Sequence, residues 1–404
     1  MVFVAPYFTE TAKRFIAATL GVPDIRVAVV SQDPLEALPP AVAPRIPAHW
    51  RIDDSLDPRQ VEHAARALAE QHGRIHRLLG IVEQIQVPLA EVRERLGIDG
   101  MRVAEAQNFR DKAQMKERLR AAGIPCARHR VIVDEAEAWD FIREVGYPVV
   151  MKPPGGAAAQ STYRANGPEE LREALRASDP AAGREALLEE FIVGDEHSFD
   201  SLSLDGNILF HSIARYLPGP LTVLENPWIQ WTAVVPREAD AAPYDDIRAL
   251  AARALKALGM GTGMSHLEWF RRPDGSLAIS EVGARPPGAQ FTTIISRANG
   301  FDCEEAWARL VVHGAFEPPA DRPFAAGAAY LRGQGRGRVA AVRGLEEADR
   351  EIGHLVTDRK LPQVGHEAGK TYEGDGYVIV RHPETAVVEQ ALGHLVSMVR
   401  VEIA

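Results

Sequence analysis

GYPVVMKPPGGAAAQST, residues 146–162, runs from an apolar stretch through one lysine into a loop of small residues. Residues 147–152 read as a buried strand, because an unbroken apolar run bounded by turn residues suits a strand covered on both faces. Lys152 closes that strand, where a lone charge is costly unless a partner or ligand compensates it. Gly155 and Gly156 let a backbone approach a bulky ligand. The three alanines that follow add almost no obstruction, and Gln160, Ser161 and Thr162 can donate hydrogen bonds. Such a loop can fold over a phosphate chain. Read alone, it fits a surface turn equally well; Lys152 is what argues for a ligand.

Working outward, a charged helix is expected over residues 110–122, stopped by Gly123 with Pro125 beyond. Lys112 on it reads, by itself, as a solvated surface residue. A strand at 130–133 and a helix at 135–145 lead into the opening stretch, and a helix at 169–177 follows it. LLEEFIVGDEHSFD, residues 187–200, starts as a strand and ends polar. Its carboxylates, Glu189, Glu190 and Glu196, could accept bonds from an adenine amino group or a ribose; a strand with a polar turn is the plainer alternative. Strands at 198–204 and 208–213 are joined by Asp205-Gly206, a hairpin signal. A long helix spans 244–258.

Two strands, 263–270 and 277–282, flank a Pro-Asp-Gly turn and carry His266, Glu268 and Glu281. The hairpin length lets Glu268 and Glu281 face each other, and two such carboxylates repel unless a cation sits between them. His266 shares the strand face of Glu268 by the period of two. Arg285 follows in GARPPGAQ, placed to meet a developing phosphate charge, with Gly288 in the same turn as a substrate-side residue. The segment 215–236 reads as a substrate-pocket loop carrying Arg215, Glu225, Trp228 and Trp231; the tryptophans fit core or lid anchors equally well.

The first segment is α/β. Residues 2–5 read as a strand, 9–20 as a helix capped by Thr9 and stopped by Gly21, and 25–30 as a second strand, the pattern of a parallel sheet. The turn PYFTET lacks GxGxxG, so no dinucleotide fingerprint is present. Helices are expected at 60–71, 89–96 and 303–313. After a proline-rich break at 317–323 come a strand at 377–380 and a helix at 385–399. The 404 residues predict two to four domains, and 46% hydrophobic with 25% charged residues excludes broad disorder. No apolar run reaches the roughly 18–20 residues of a membrane helix, and MVFVAPYFTETAKRF does not read as a secretory signal. A formal charge of −10 argues against nucleic-acid or acidic-membrane partners. Cys126 and Cys303 form no CxxC pattern, which fits a reduced, cytoplasmic setting.

In order along the chain, these features resemble the ATP-grasp superfamily over roughly residues 1–315. NFRDKAQMKERLRAAGIP (108–125) is similar to the family's opening helix, and GYPVVMKPPGG (146–156) to its second-lysine strand and glycine loop. The resemblance implies mixed α/β and α+β architecture. It divides into a Rossmann-like pre-ATP-grasp domain (1–107), a lobe with the phosphate loop (108–187), a lobe with the metal and substrate site (188–320) and a small C-terminal subdomain (321–404). It further implies that Lys112 and Lys152 hold ATP phosphates, with Gly155, Gly156, Ser161 and Thr162 forming the phosphate loop. Glu189, Glu190, Phe191 and Ile192 match the adenine hinge, and Glu196 the ribose carboxylate. Glu268 and Glu281 match ligands of Mg²⁺ or Mn²⁺, and Arg285 the arginine at the transferring phosphoryl group. Lys152, His266 and Arg285 make up the catalytic set. Gly283 departs from the asparagine that many members carry there.

The pattern His266-x-Glu268, then Glu281-x-x-x-Arg285, resembles L-amino-acid ligases and related carboxylate–amine ligases, as does GYVIVRHPET (376–385). That narrower resemblance implies ATP-dependent joining of a small carboxylate and an amine through an acyl phosphate, with no nucleic-acid or membrane partner and with homodimers as a family-level expectation. A biotin-carboxylase-like activation of bicarbonate, and an ATP-binding subunit without catalysis, remain open at this point.

Overall fold

The computed structural model describes residues 1–155, 162–226, 228–369 and 371–404. Gly156 and Ser161 of the expected phosphate loop lie outside the described residues.

The chain begins with the strand Val2–Ala5, buried at all four positions. It pairs in parallel with Ala28–Ser31 and Leu78–Leu79, and Ala48–Arg51 completes the sheet beside Ala28–Ser31. Alternate residues enter two cores: Phe3 and Ala5 join one, Val2 and Val4 the other. This two-sided burial is why VFVA has no polar position. The helix Glu10–Leu20 packs Ala12, Phe15, Ile16 and Thr19 inward, and the Thr9 side chain accepts the Ala12 N–H at its start.

A four-stranded antiparallel sheet follows, ordered His129–Ile132, Ala186–Glu190, Val149–Lys152, Tyr163–Ala165. The helices Glu135–Val145 and Pro168–Ser178 contribute to its core. An eight-stranded antiparallel sheet and a two-stranded one, Val339–Arg343 with Arg400–Ile403, complete the strands, the larger sheet carrying most of the remainder. Its order is Leu277–Gly283, Gly263–Arg271, Asp195–Leu204, Asn207–Leu217, Thr232–Val235, Ala325–Leu331, Gly376–His382, Val356–Lys360. Asp205 and Gly206 both take positive φ, 49° and 80°, as the tight hairpin requires. The line drawn at 187/188 falls within Ala186–Glu190, and strands on both sides of 320/321 belong to one sheet.

Three features add to the expected elements. The charged helix expected at 110–122 is Lys112–Ala121, and a separate helix, Val103–Arg110, precedes it. Asp111 between them is extended, and its carboxylate accepts from the backbone N–H groups of Ala113 and Gln114, a local cap that starts the second helix. The second is the strand Ala325–Leu331, AAGAAYL, which low strand propensity concealed. Its small residues are needed: a Cβ on Gly327 would lie 2.6 Å from Leu392 of the helix Thr385–Met398. The third is the helix Phe291–Asn299, buried at eight of its nine positions.

The largest core cluster contains residues from Phe3 to Ile379. Trp307 meets Phe3 and Phe15 edge-on, with ring centroids 6.3 and 5.0 Å away, so the first sheet and the later helices share one interior. Trp307→Ala is therefore expected to cost about 3–5 kcal/mol. Calorimetry should record one transition that moves as a whole; a split in which only an N-terminal step moves would contradict the shared core.

Candidate active site

A cavity of about 880 Å³ lies between the four-stranded sheet, the eight-stranded sheet and the first segment. Lys112, Lys152, Thr162, Glu189, Glu190, Phe191, Ile192, Glu196, Trp231, His266, Glu268, Glu281, Arg285 and Gly288 all line it. Most of the residues singled out in the sequence are thus brought together from positions more than 170 residues apart.

Lys112 is the first residue of its helix and is 4% exposed, not the solvated lysine its surroundings suggested. Its Nζ lies 2.7 Å from Glu281 Oε1. Glu281 stands directly opposite Glu268 across the hairpin, as the spacing predicts. Burial pushes the Glu281 carboxyl up, but Lys112 and Lys152 outweigh this and hold it at about 2. Lys152, at its strand end, places Nζ 3.1 Å from Glu189 Oε2. Burial opposes its charge, and Glu189 followed by Glu281 overcomes that and raises its pKa. Burial, reinforced by the Glu268 charge, raises Glu196 well above the usual carboxylate range.

His266 Nδ1 is 2.7 Å from Asp200 Oδ1, and its Nε2 is 3.5 Å from Glu268 Oε1. Burial would discharge the ring, but the Asp200 carboxylate and its hydrogen bond dominate and raise the pKa to about 10. A doubly protonated ring has no lone pair to accept a proton. This geometry fits a residue that orients Glu268.

The other placements differ. Glu190 pairs with Arg128, Nε to Oε2 at 2.6 Å. Phe191 donates its N–H to Pro148 O, and its ring lies under the Arg164 guanidinium, 4.2 Å from the centroid. Gly155 packs against Arg110: a Cβ there would sit 3.4 Å from the guanidinium. Of the expected substrate loop, Trp231 is 1% exposed and Trp228 is 65% exposed. Trp228, Arg215 and Glu225 are absent from the cavity wall; Arg215 pairs instead with Glu389 and Glu225 lies 3.9 Å from Arg164.

Four contributors had escaped notice. Glu83, in the turn Glu83–Ile85, accepts from Arg285 Nε and Nη2 at 3.1 and 2.9 Å. Nothing local in its sequence signals this contact, which spans 202 residues. Lys116 is fully buried, with Nζ 3.0 Å from Glu189 Oε1 and 2.7 Å from Ser280 O. Its spacing of four from Lys112 puts both on one helix face, a signal that was legible. Asp200, 1% exposed, and Tyr372 complete the set.

A family profile for the ATP-grasp domain matches residues 117–299. The structure superposes on the L-amino acid ligase from Bacillus licheniformis with a TM-score of 0.80, at 20% identity, covering 100% of this chain and 98% of that one. Residues 117–299 match the ATP-grasp domain, and the chain as a whole shares the fold of that ligase. Among curated relatives, the carbamoyl phosphate synthase large chain of Mycobacterium tuberculosis (strain H37Rv) is 25% identical over 304 residues, covering 71% of this chain and 26% of that protein. The D-alanine–D-alanine ligase of Pseudomonas putida is 26% identical over 261 residues, covering 63% and 77%. This chain thus spans about a quarter of the carbamoyl phosphate synthase large chain it matches. No helix among the described residues is long and apolar enough to cross a membrane.

Glu189→Gln would leave Lys116 and Lys152 buried without their shared carboxylate. It is expected to lower stability by about 3–5 kcal/mol in denaturant titration. Adding Lys116→Met should recover part of that loss, since it removes one uncompensated charge. A Glu189→Gln protein as stable as the wild type would refute the charge triad.

Proposed function

We propose that the protein is an ATP-dependent carboxylate–amine ligase that releases ADP and works through an acyl phosphate. The observation that carries this reading is the convergence of Lys112, Lys152 and Arg285 around the opposed carboxylates Glu268 and Glu281 in one cavity. Positive groups of this number suit a triphosphate, and an opposed carboxylate pair suits a divalent cation that also takes phosphate oxygens.

In this reading Lys112 and Lys152 hold the phosphate chain, with Thr162 beside it. The segment from Glu189 to Ile192 forms the adenine wall, and Glu196 takes the ribose hydroxyls. Glu268 and Glu281 would hold Mg²⁺ or Mn²⁺, whose bound charge supplies neutralisation of the phosphates. Their fit rests on being two facing carboxylates completed by phosphate. Among the described residues no group of three or more His, Cys, Asp or Glu side chains is placed to hold a metal ion, and Gly283 stands where many members carry asparagine. His266, fixed by Asp200, keeps Glu268 turned toward the pair.

The terminal phosphoryl group passes to a carboxylate oxygen of the substrate, and ADP leaves. The amine then attacks the acyl carbon, the carbon–oxygen bond breaks, and phosphate departs while the nitrogen loses a proton. Arg285 sits where the negative charge of both steps develops, and the protein acts through placement and electrostatics. Trp231 and Gly288 line the substrate side.

Pooled amino acids and small carboxylates with ATP and Mg²⁺ test the reading. ADP release is expected only when a carboxylate and an amine are both present. Release driven by bicarbonate without amine would point to a carboxylase, and tight ATP binding with no release from any pool would point to a non-catalytic subunit. Glu281→Ala is expected to abolish the Mg²⁺-dependent turnover; activity unchanged in that variant would remove Glu281 from the metal site.

A further inference from the structure

Glu373 lines the same cavity as Arg285, Lys112 and Lys152. The carboxylates around those cations have partners: Glu83 holds Arg285, Glu189 holds two lysines, Glu190 holds Arg128, and Glu281 holds Lys112. Glu196 lies within the fields of Lys152 and His266. Glu373 is different. Among the described residues it makes no ion pair and no side-chain hydrogen bond, and burial alone raises its pKa. A half-buried carboxylate left without a partner is costly in the empty protein.

The turn that carries it is firmly seated. Asp375 N–H donates to Leu331 O at 2.9 Å, and Asp375 Oδ1 accepts from Gly369 N–H at 2.6 Å. Gly374 has φ of +62°, and a Cβ there would lie 2.5 Å from Leu331 O. Only glycine fits that position, so the side chain before it is presented from a fixed backbone. The adjoining wall is aromatic. Tyr372 meets Trp231 edge-on at 4.8 Å, and Trp231 stacks on Tyr330 at 4.6 Å. Aromatic faces beside a carboxylate are a good environment for an organic cation. Tyr372 lies within the fields of Glu268, Glu196 and Arg285 as well as that of Glu373, and lines the same cavity.

We infer that Glu373 is a specificity residue that receives a cationic group of the substrate, an ammonium or guanidinium, while the reacting carboxylate lies at Arg285. The inference rests on the ligase reading for the carboxylate's place, and it narrows the substrate class to molecules with a positive group beyond the reacting end. An α-ammonium and a side-chain ammonium share this chemistry.

A matched six-carbon series separates the two sources: lysine, 6-aminohexanoate, norleucine and hexanoate, titrated calorimetrically with Mg²⁺ and a non-hydrolysable ATP analogue. Wild-type protein is expected to bind at least one ammonium-bearing member ten times or more tightly than hexanoate. Preference for norleucine over hexanoate assigns the α-ammonium; preference for 6-aminohexanoate assigns the distal one. Glu373→Gln should erase the preference and leave affinity for the ATP analogue unchanged, and Glu373→Lys should turn it against the ammonium compounds. A preference that survives in Glu373→Gln, or equal binding of all four by the wild type, overturns the inference. A preference that follows Glu373 with no ADP release from any substrate pair would sink the ligase reading alone. ADP release with a preference indifferent to Glu373 would sink this inference alone.

Discussion

Glu189 is buried between two lysines that reach it from different elements, Lys116 from the helix Lys112–Ala121 and Lys152 from the strand Val149–Lys152. None of the three charges has water enough to stand alone. Transferring each from water costs several kcal/mol, and the contacts at 3.0 and 3.1 Å repay this only in a narrow range of positions. The helix and the strand are thereby held in one register. Lys116 also donates to Ser280 O, one residue before Glu281, so the same buried charge fixes the hairpin of the opposed carboxylates.

The acidity of the protein reaches the cavity, where Lys112, Lys152 and Arg285 stand among eight carboxylates. On the ligase reading, the cation that accompanies a triphosphate offsets that excess. Lys112 and Glu281 neutralise each other at 2.7 Å. On the ligase reading, an incoming triphosphate and its cation replace this pairing by lysine with phosphate and carboxylate with metal. One opposite-charge contact gives way to two, so the exchange avoids leaving a bare buried charge.

Elements whose pattern is local were legible in the sequence. The helices Glu135–Val145 and Cys303–His313 lie where their caps and periodicity put them, and the Asp205-Gly206 hairpin follows from turn chemistry. Glu268 and Glu281 were legible for the same reason, since hairpin register is set by the residues between them. What escaped depends on distant partners. The helix Val103–Arg110, just ahead of the expected one, went unread. Ala325–Leu331 is a strand because neighbours on both faces need small residues. Trp228 and Trp231, three positions apart, are one exposed and one buried; residue type cannot separate them, but the strand Thr232–Val235 beginning next to Trp231 does.

Glu83 makes the same point at the reaction centre. Arg285 is drawn from two sides, first by Glu83 and then by Glu281 and Glu268. Without an anchor its guanidinium would settle on the opposed carboxylates and occupy the place of the cation they suit. Two contacts to Glu83 Oε2, at 2.9 and 3.1 Å, hold it beside that pair instead. Arg110 Nη1, 3.6 Å from the other Glu83 oxygen, limits how far Glu83 itself can move. An arginine that must meet a developing negative charge needs its position set before the charge appears, because reorganisation at that moment would cost rate. On the ligase reading, the first segment of the chain therefore takes part in the reaction centre through Glu83, and the Glu83–Ile85 turn shares the task of placing Arg285 with the GARPPGAQ loop that carries it.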